Sequence, residues 1–209
     1  MTIIDTFRDR LQGKDTPHQT LFLVMLVFGV IGLIASFVLS VEEIYLLQNP
    51  DASLSCTFNL VLNCATVMQT WQATAFGFPN MFIGLMGFPI VITIALLGLS
   101  RVAFPRWFAI GMEIGILLWT IFAYWLFFNS VYVIQVLCPW CLIVTFSMTM
   151  LLAASTYYTV HKNTFQLSPK TLKPIRSFLD KGYYQLIVAS WIVLMVALVI
   201  LKFGDSLVG

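Results

Sequence analysis

Val136-Leu137-Cys138-Pro139-Trp140-Cys141-Leu142-Ile143 opens an apolar run that continues through Thr145, Phe146, Met148 and Leu151 to about Tyr158. A run of that length crosses a bilayer as a helix. Proline fits the first helical position, where its missing N–H would have no partner in any case. Cys138 is therefore expected at the N-cap, Pro139 in the first turn and Cys141 one turn inside. The helix dipole places partial positive charge on these first amides and favours a thiolate there. A dithiol or disulfide at the mouth of a membrane helix is a redox device by position. Such a device needs an oxidising compartment, an electron acceptor and a second thiol pair.

Working outward, the rest of the chain is equally apolar. Its mean hydropathy is +0.93, with 60% hydrophobic and 10% charged residues among 209. Soluble domains carry about 25% charged residues, so the chain reads as an all-α integral membrane protein. Residues 1–19 are polar and precede a first span at about 20–39. That run is too long for a signal-peptide core and no small-x-small cleavage site follows it, so it reads as an anchor. Its helix extends past the membrane through Glu42, Glu43 and Tyr45 until Asn49-Pro50 stops it. Further spans fall at about 81–99, 107–128 and 138–160, and a fifth lies within 184–209. A polar loop, 50–80, holds Cys56 and Cys64, and a basic segment, 161–183, precedes the fifth span.

The basic residues orient these spans. Arg8, Arg10 and Lys14 lie before the first span, Arg101 and Arg106 between the second and third, and five more in 161–183. Ten of the eleven Lys and Arg residues thus fall on one side, leaving Lys202 on the other. Cytoplasmic loops carry the excess of basic residues. The N-terminus is therefore expected in the cytoplasm of a cell (inner) membrane protein. The C-terminus and all four cysteines are expected outside, where disulfides persist.

Within the loop, Leu60, Cys64, Val67, Met68 and Trp71 recur at helical spacing. They predict a short amphipathic helix that caps the open end of the bundle and holds Cys64 near Cys138. An ordinary interfacial helix with Trp71 at headgroup level has the same pattern. Asn80 follows the turn Phe76-Gly77-Phe78-Pro79, at the mouth of the second span and close in height to Cys141. It is either a hydrogen-bond donor to a ligand or a simple helix cap. Glu113 lies two turns from Arg106, so its carboxylate is expected to snorkel to the cytoplasmic interface.

Thiolate attacks disulfide through a mixed intermediate, so electrons can step between cysteine pairs. Two pairs on one membrane face make a relay, and the relay needs an acceptor that lives in the bilayer. The only histidines, His18 and His161, fall on the cytoplasmic side, so no Cys/His set suits haem or an iron–sulfur cluster. A lipid-soluble quinone, menaquinone or ubiquinone, fits, and Asn80 offers its oxygen a donor. Val67 and Trp71, on the cap helix, are further candidate quinone contacts. No metal and no nucleic acid is expected.

Cys56-x7-Cys64, Phe76-Gly77-x-Pro79-Asn80-x3-Gly84 and Cys138-Pro139-Trp140-Cys141 together resemble the bacterial branch of the vitamin K epoxide reductase family. The resemblance covers about residues 20–160. It implies a four-helix transmembrane bundle around a quinone, to which this chain adds its fifth helix. It implies that Cys141 passes electrons to the quinone, that Cys138 exchanges with Cys64, and that Cys56 meets the outside redox partner. Asn80 matches the family's substrate-binding asparagine. Where vertebrate members have a tyrosine, this chain has Thr145, a hydroxyl of shorter reach. Many bacterial relatives carry a fused thioredoxin-like domain after the fifth helix, whereas only Phe203 to Gly209 follow Lys202 here. The expected partner is accordingly a separate extracytoplasmic, DsbA-like thioredoxin-fold protein. Competing functions are a non-catalytic membrane carrier braced by disulfides and an assembly subunit; four cysteines could also close a structural zinc site. A carrier calls for broken helices or charges at mid-membrane, and this chain has almost none.

Overall fold

The computed structural model describes residues 17–49, 54–57 and 61–208. The expected positions Arg8, Arg10, Lys14, Pro50 and Leu60 lie outside the described residues. Helix α1 spans Pro17–Gln48, α2 Cys64–Met68, α3 Met81–Leu99, α4 Arg106–Phe128, α5 Pro139–His161, α6 Pro169–Asp180 and α7 Tyr183–Val208. A 3-10 turn, Trp71–Thr74, follows α2, and a π-helical turn, Asn129–Ile134, follows α4. No β-strand occurs among the described residues. Five helices are long and apolar enough to cross a membrane, namely α1, α3, α4, α5 and α7. The chain is thus a multi-pass membrane protein with an all-α fold.

Helix α1 packs against α3 on one side and α5 on the other, and α4 packs against α5. In a bilayer, apolar side chains gain nothing by leaving lipid, so association depends on close fit. Glycines supply it here. A Cβ on Gly32 of α1 would sit 2.3 Å from the Phe88 ring of α3, and one on Gly98 would sit 2.3 Å from the Phe22 ring. The buried core contains Phe22, Met25, Phe88, Met112, Met148 and Leu151. Helices α3 and α4 do not pack closely on each other, and the bundle is open between them. Helix α7 stands to one side, held by Trp191 Nε1 donating to the Tyr124 hydroxyl at 2.7 Å.

Two expectations change. The segment 161–183 is not simply a loop, because it contains α6. Pro169 sits in its first turn, where proline is tolerated, and Leu172 and Leu179 bury one face under a basic exterior. Glu113 does not snorkel. It is 8% exposed and accepts a hydrogen bond from the Thr156 hydroxyl of α5 at 2.6 Å. A buried carboxylate needs such a donor, and this one is within α5's reach before the interface is.

Candidate active site

Cys138 caps α5 with extended backbone, and Pro139 occupies the first turn. The chain arrives there through the π-helical turn and a left-handed Gln135, which turns the backbone back toward the cysteine loop. Two backbone hydrogen bonds then pin that loop to the motif: Leu137 N–H to Val61 O at 2.7 Å and Asn63 N–H to Leu137 O at 3.0 Å. Asn63 also starts α2, its side chain accepting from Thr66 N–H at 3.1 Å. Its neighbour Cys64 is therefore held directly over Cys138.

The sulfurs form a short row. Cys56 and Cys64 are joined as a disulfide. The Cys64 Sγ lies 3.1 Å from the Cys138 Sγ, and Cys138 and Cys141 are thiols. The Cys138 sulfur receives hydrogen bonds from the Cys141 thiol and from the backbone amides of Cys141 and Trp140, which favour its thiolate. Leu39, Leu46, Leu54, Val67 and Met68 close an apolar nest around the row. Cys56, Cys64 and Cys138 are all buried, Cys56 at 2% exposure. Because Cys56 and Cys64 are bonded to each other, in this state neither offers a thiolate to a metal.

Beside Cys141 a cavity of about 460 Å³ opens between α3 and α4. Cys138, Cys141, Asn80 and Gln72 line its upper end, and Trp107 and Phe108 its other end. Asn80 does not cap α3 with its side chain. Its Nδ2 donates to Gln72 O at 2.6 Å, while its Oδ1 is buried with no partner among the described residues. The amide is thus fixed by the cap segment and still has unused hydrogen-bonding capacity. Thr145 also lines the cavity, with its hydroxyl donating to Cys141 O at 3.0 Å. Val67 lines it from above. Trp71 does not: it is 66% exposed and packs edge-on against Trp125. The helical stripe that carries Val67 inward ends at Met68, and the following 3-10 turn rotates Trp71 outward.

Reasoning from sequence missed Glu42, Ser55 and Gln72. Glu42 reaches the cysteine row from the top of α1, with its Oε2 3.0 Å from Cys56 Sγ. Its only signal in sequence was a Glu-Glu pair without a basic neighbour. Gln72 is a buried polar residue in a segment where spacing suggested only a helix face.

No curated protein matches the chain. The model of the family described as "Vitamin K epoxide reductase family" matches residues 23–156. That match runs through α1, α3 and α4, into α5, and across both cysteine pairs, so the chain belongs to the vitamin K epoxide reductase family, which marks it as a membrane thiol–disulfide oxidoreductase.

Proposed function

We propose that the protein oxidises an extracytoplasmic thioredoxin-fold protein and delivers the electrons to a membrane quinone. The observation that carries this is the third sulfur in line: Cys138 within 3.1 Å of a disulfide-bonded Cys64, with Cys141 facing an apolar cavity one turn on. The sulfur states match a molecule whose loop pair is already oxidised and whose Cys138 and Cys141 hold two electrons.

Bound quinone supplies a two-electron, two-proton sink. Cys141 faces it, and Cys138, carrying its thiolate on the α5 amides, closes the Cys138–Cys141 disulfide as the electrons leave. The partner dithiol then reduces Cys56–Cys64 and itself becomes a disulfide. Cys64 attacks Cys138, forming Cys64–Cys138 and freeing Cys141. Cys56 attacks Cys64, restoring Cys56–Cys64 and releasing Cys138 as a thiol. Quinone takes the electrons released when Cys138–Cys141 closes; each thiol–disulfide exchange after that makes one S–S bond and breaks one, so the pair of electrons moves inward with no other reductant. Because Cys56 is buried, the partner gains access only when the loop segment around it opens. Asn80 orients the quinone oxygen, with Val67 and Thr145 in the same wall.

Purified protein given a reduced thioredoxin-fold partner and a short-chain quinone is expected to bleach the quinone absorbance. No bleaching by the wild type sinks the proposal. Asn80→Ala is expected to raise KM for quinone about tenfold with a smaller change in kcat, the worth of one neutral hydrogen bond. An unchanged KM removes Asn80 from the binding site.

The same proposal places the cysteines outside the cell membrane and α6 inside. Basic residues on α6 support that side. In intact cells, Lys170→Cys is expected to resist a membrane-impermeant maleimide and to react after permeabilisation. Labelling before permeabilisation would invert the topology and remove the oxidising environment.

A further inference from the structure

Resting on the relay just proposed, we infer that Glu42 is the proton acceptor for Cys56 in the step that re-forms the loop disulfide. Glu42 lies near the C-terminal end of α1, past the span's apolar stretch, and is 9% exposed. Its Oε1 accepts from the Ser55 backbone N–H at 3.2 Å and also from the Ser55 hydroxyl. That accounts for one oxygen of a buried carboxylate, which needs partners to be tolerated. The other, Oε2, is 3.0 Å from the Cys56 sulfur. Ser55 therefore holds the carboxylate with its free oxygen aimed at a reacting atom.

The chemistry needs a group at that place. Only a thiolate attacks a disulfide, and an unassisted cysteine is mostly protonated at neutral pH. Cys138 has the first amides of α5. Cys56 has no such help: the loop 50–80 contains no Lys, Arg or His. The apolar nest of Leu39, Leu46, Leu54 and Met68 keeps bulk water from the sulfurs. When Cys56 attacks the Cys64–Cys138 bond, its proton passes to Glu42 Oε2. The Cys56–Cys64 bond forms, the Cys64–Cys138 bond breaks, and Cys138 leaves with the electron pair. When the outside partner later frees Cys56, the same carboxyl returns the proton to the departing sulfur. Over one cycle Glu42 is unchanged.

Two measurements on the full chain test this. In the first, fully reduced protein is mixed with excess decylubiquinone. The first equivalent of quinone needs only Cys138 and Cys141 and reports a folded, quinone-binding molecule. The second equivalent requires the loop pair. Glu42→Gln is expected to slow the second equivalent about a hundredfold relative to the first, in the range of a lost general base. A Cys64–Cys138 disulfide should accumulate, seen by mass after alkylation and proteolysis. Glu42→Asp should recover much of the rate, and Ser55→Ala, which keeps the carboxylate, should slow it far less than Glu42→Gln. In the second, Cys138→Ala/Cys141→Ala protein closes its loop pair with oxidised glutathione, a reaction without quinone, and Glu42→Gln should slow that closure too. Normal closure in both measurements, or equal slowing by Ser55→Ala and Glu42→Gln, overturns the assignment. Absence of any quinone consumption by wild type, with Glu42-dependent closure by glutathione intact, defeats the quinone proposal and leaves Glu42 standing.

Discussion

Replacing Cys141 with alanine is expected to abolish quinone reduction and to leave a covalent Cys64–Cys138 disulfide in the protein. Both motif thiols line the cavity, but the Cys138 sulfur sits 3.1 Å from the Cys64 sulfur, which leaves Cys141 as the thiol to meet the acceptor. Loss of the group that meets the acceptor removes a step that no other residue can perform. The rate is expected to fall at least about a thousandfold, the scale seen when a covalent participant is deleted. The mixed disulfide follows from the same geometry. With Cys141 gone, Cys138 has no internal partner except Cys64, 3.1 Å away. Non-reducing mass analysis of tryptic peptides distinguishes the pairings. Residual turnover near the wild-type rate, or a Cys56–Cys64 pair that never exchanges under an oxidant, would show that the loop disulfide is only a brace. The complementary variant, Cys138→Ser, should retain slow quinone reduction by a small thiol reductant while losing reduction by a protein partner.

The second large effect concerns the bundle. Gly32→Leu is expected to destabilise the protein by about 3 kcal/mol or more, toward the upper end for overpacking. Its first added carbon would already lie 2.3 Å from the Phe88 ring, and Phe88 is itself buried. Either α1 moves away from α3 or the ring leaves its place beside the cavity, which Phe88 lines. Thermal unfolding in detergent should show a lower midpoint, and quinone turnover should fall even below that midpoint. Gly111→Ala serves as the comparison, because a Cβ there meets nothing within 4 Å. Equal stability of both variants would mean that α1 and α3 are not in close contact.

The contrast between these glycines separates what patterning encodes from what it does not. Length and hydropathy alone placed the second span, 81–99, where α3 lies, Met81–Leu99, because lipid tolerates only long, self-bonded helices. The Cys138 cap and Pro139 first turn were legible for a local reason: proline and the helix N-terminus constrain only a few consecutive residues. The inward placement of Cys64 and Val67 was likewise carried by helical spacing. Trp71 shares that spacing but not that face, since α2 ends at Met68 and periodicity holds only while the helix lasts. Glu113 was misjudged because nearness to the interface was visible and the Thr156 hydroxyl on another helix was not.

The sequence by itself determined the class of molecule, the number of its long apolar helices, and the motif at the head of α5, because each depends on neighbours in the chain. Tertiary structure decided which sulfur faces which, where the cavity opens, and that Glu42 stands against Cys56. Those contacts join residues on separate helices and loops. Their distances are set by how the helices pack, to which spacing along one segment is blind.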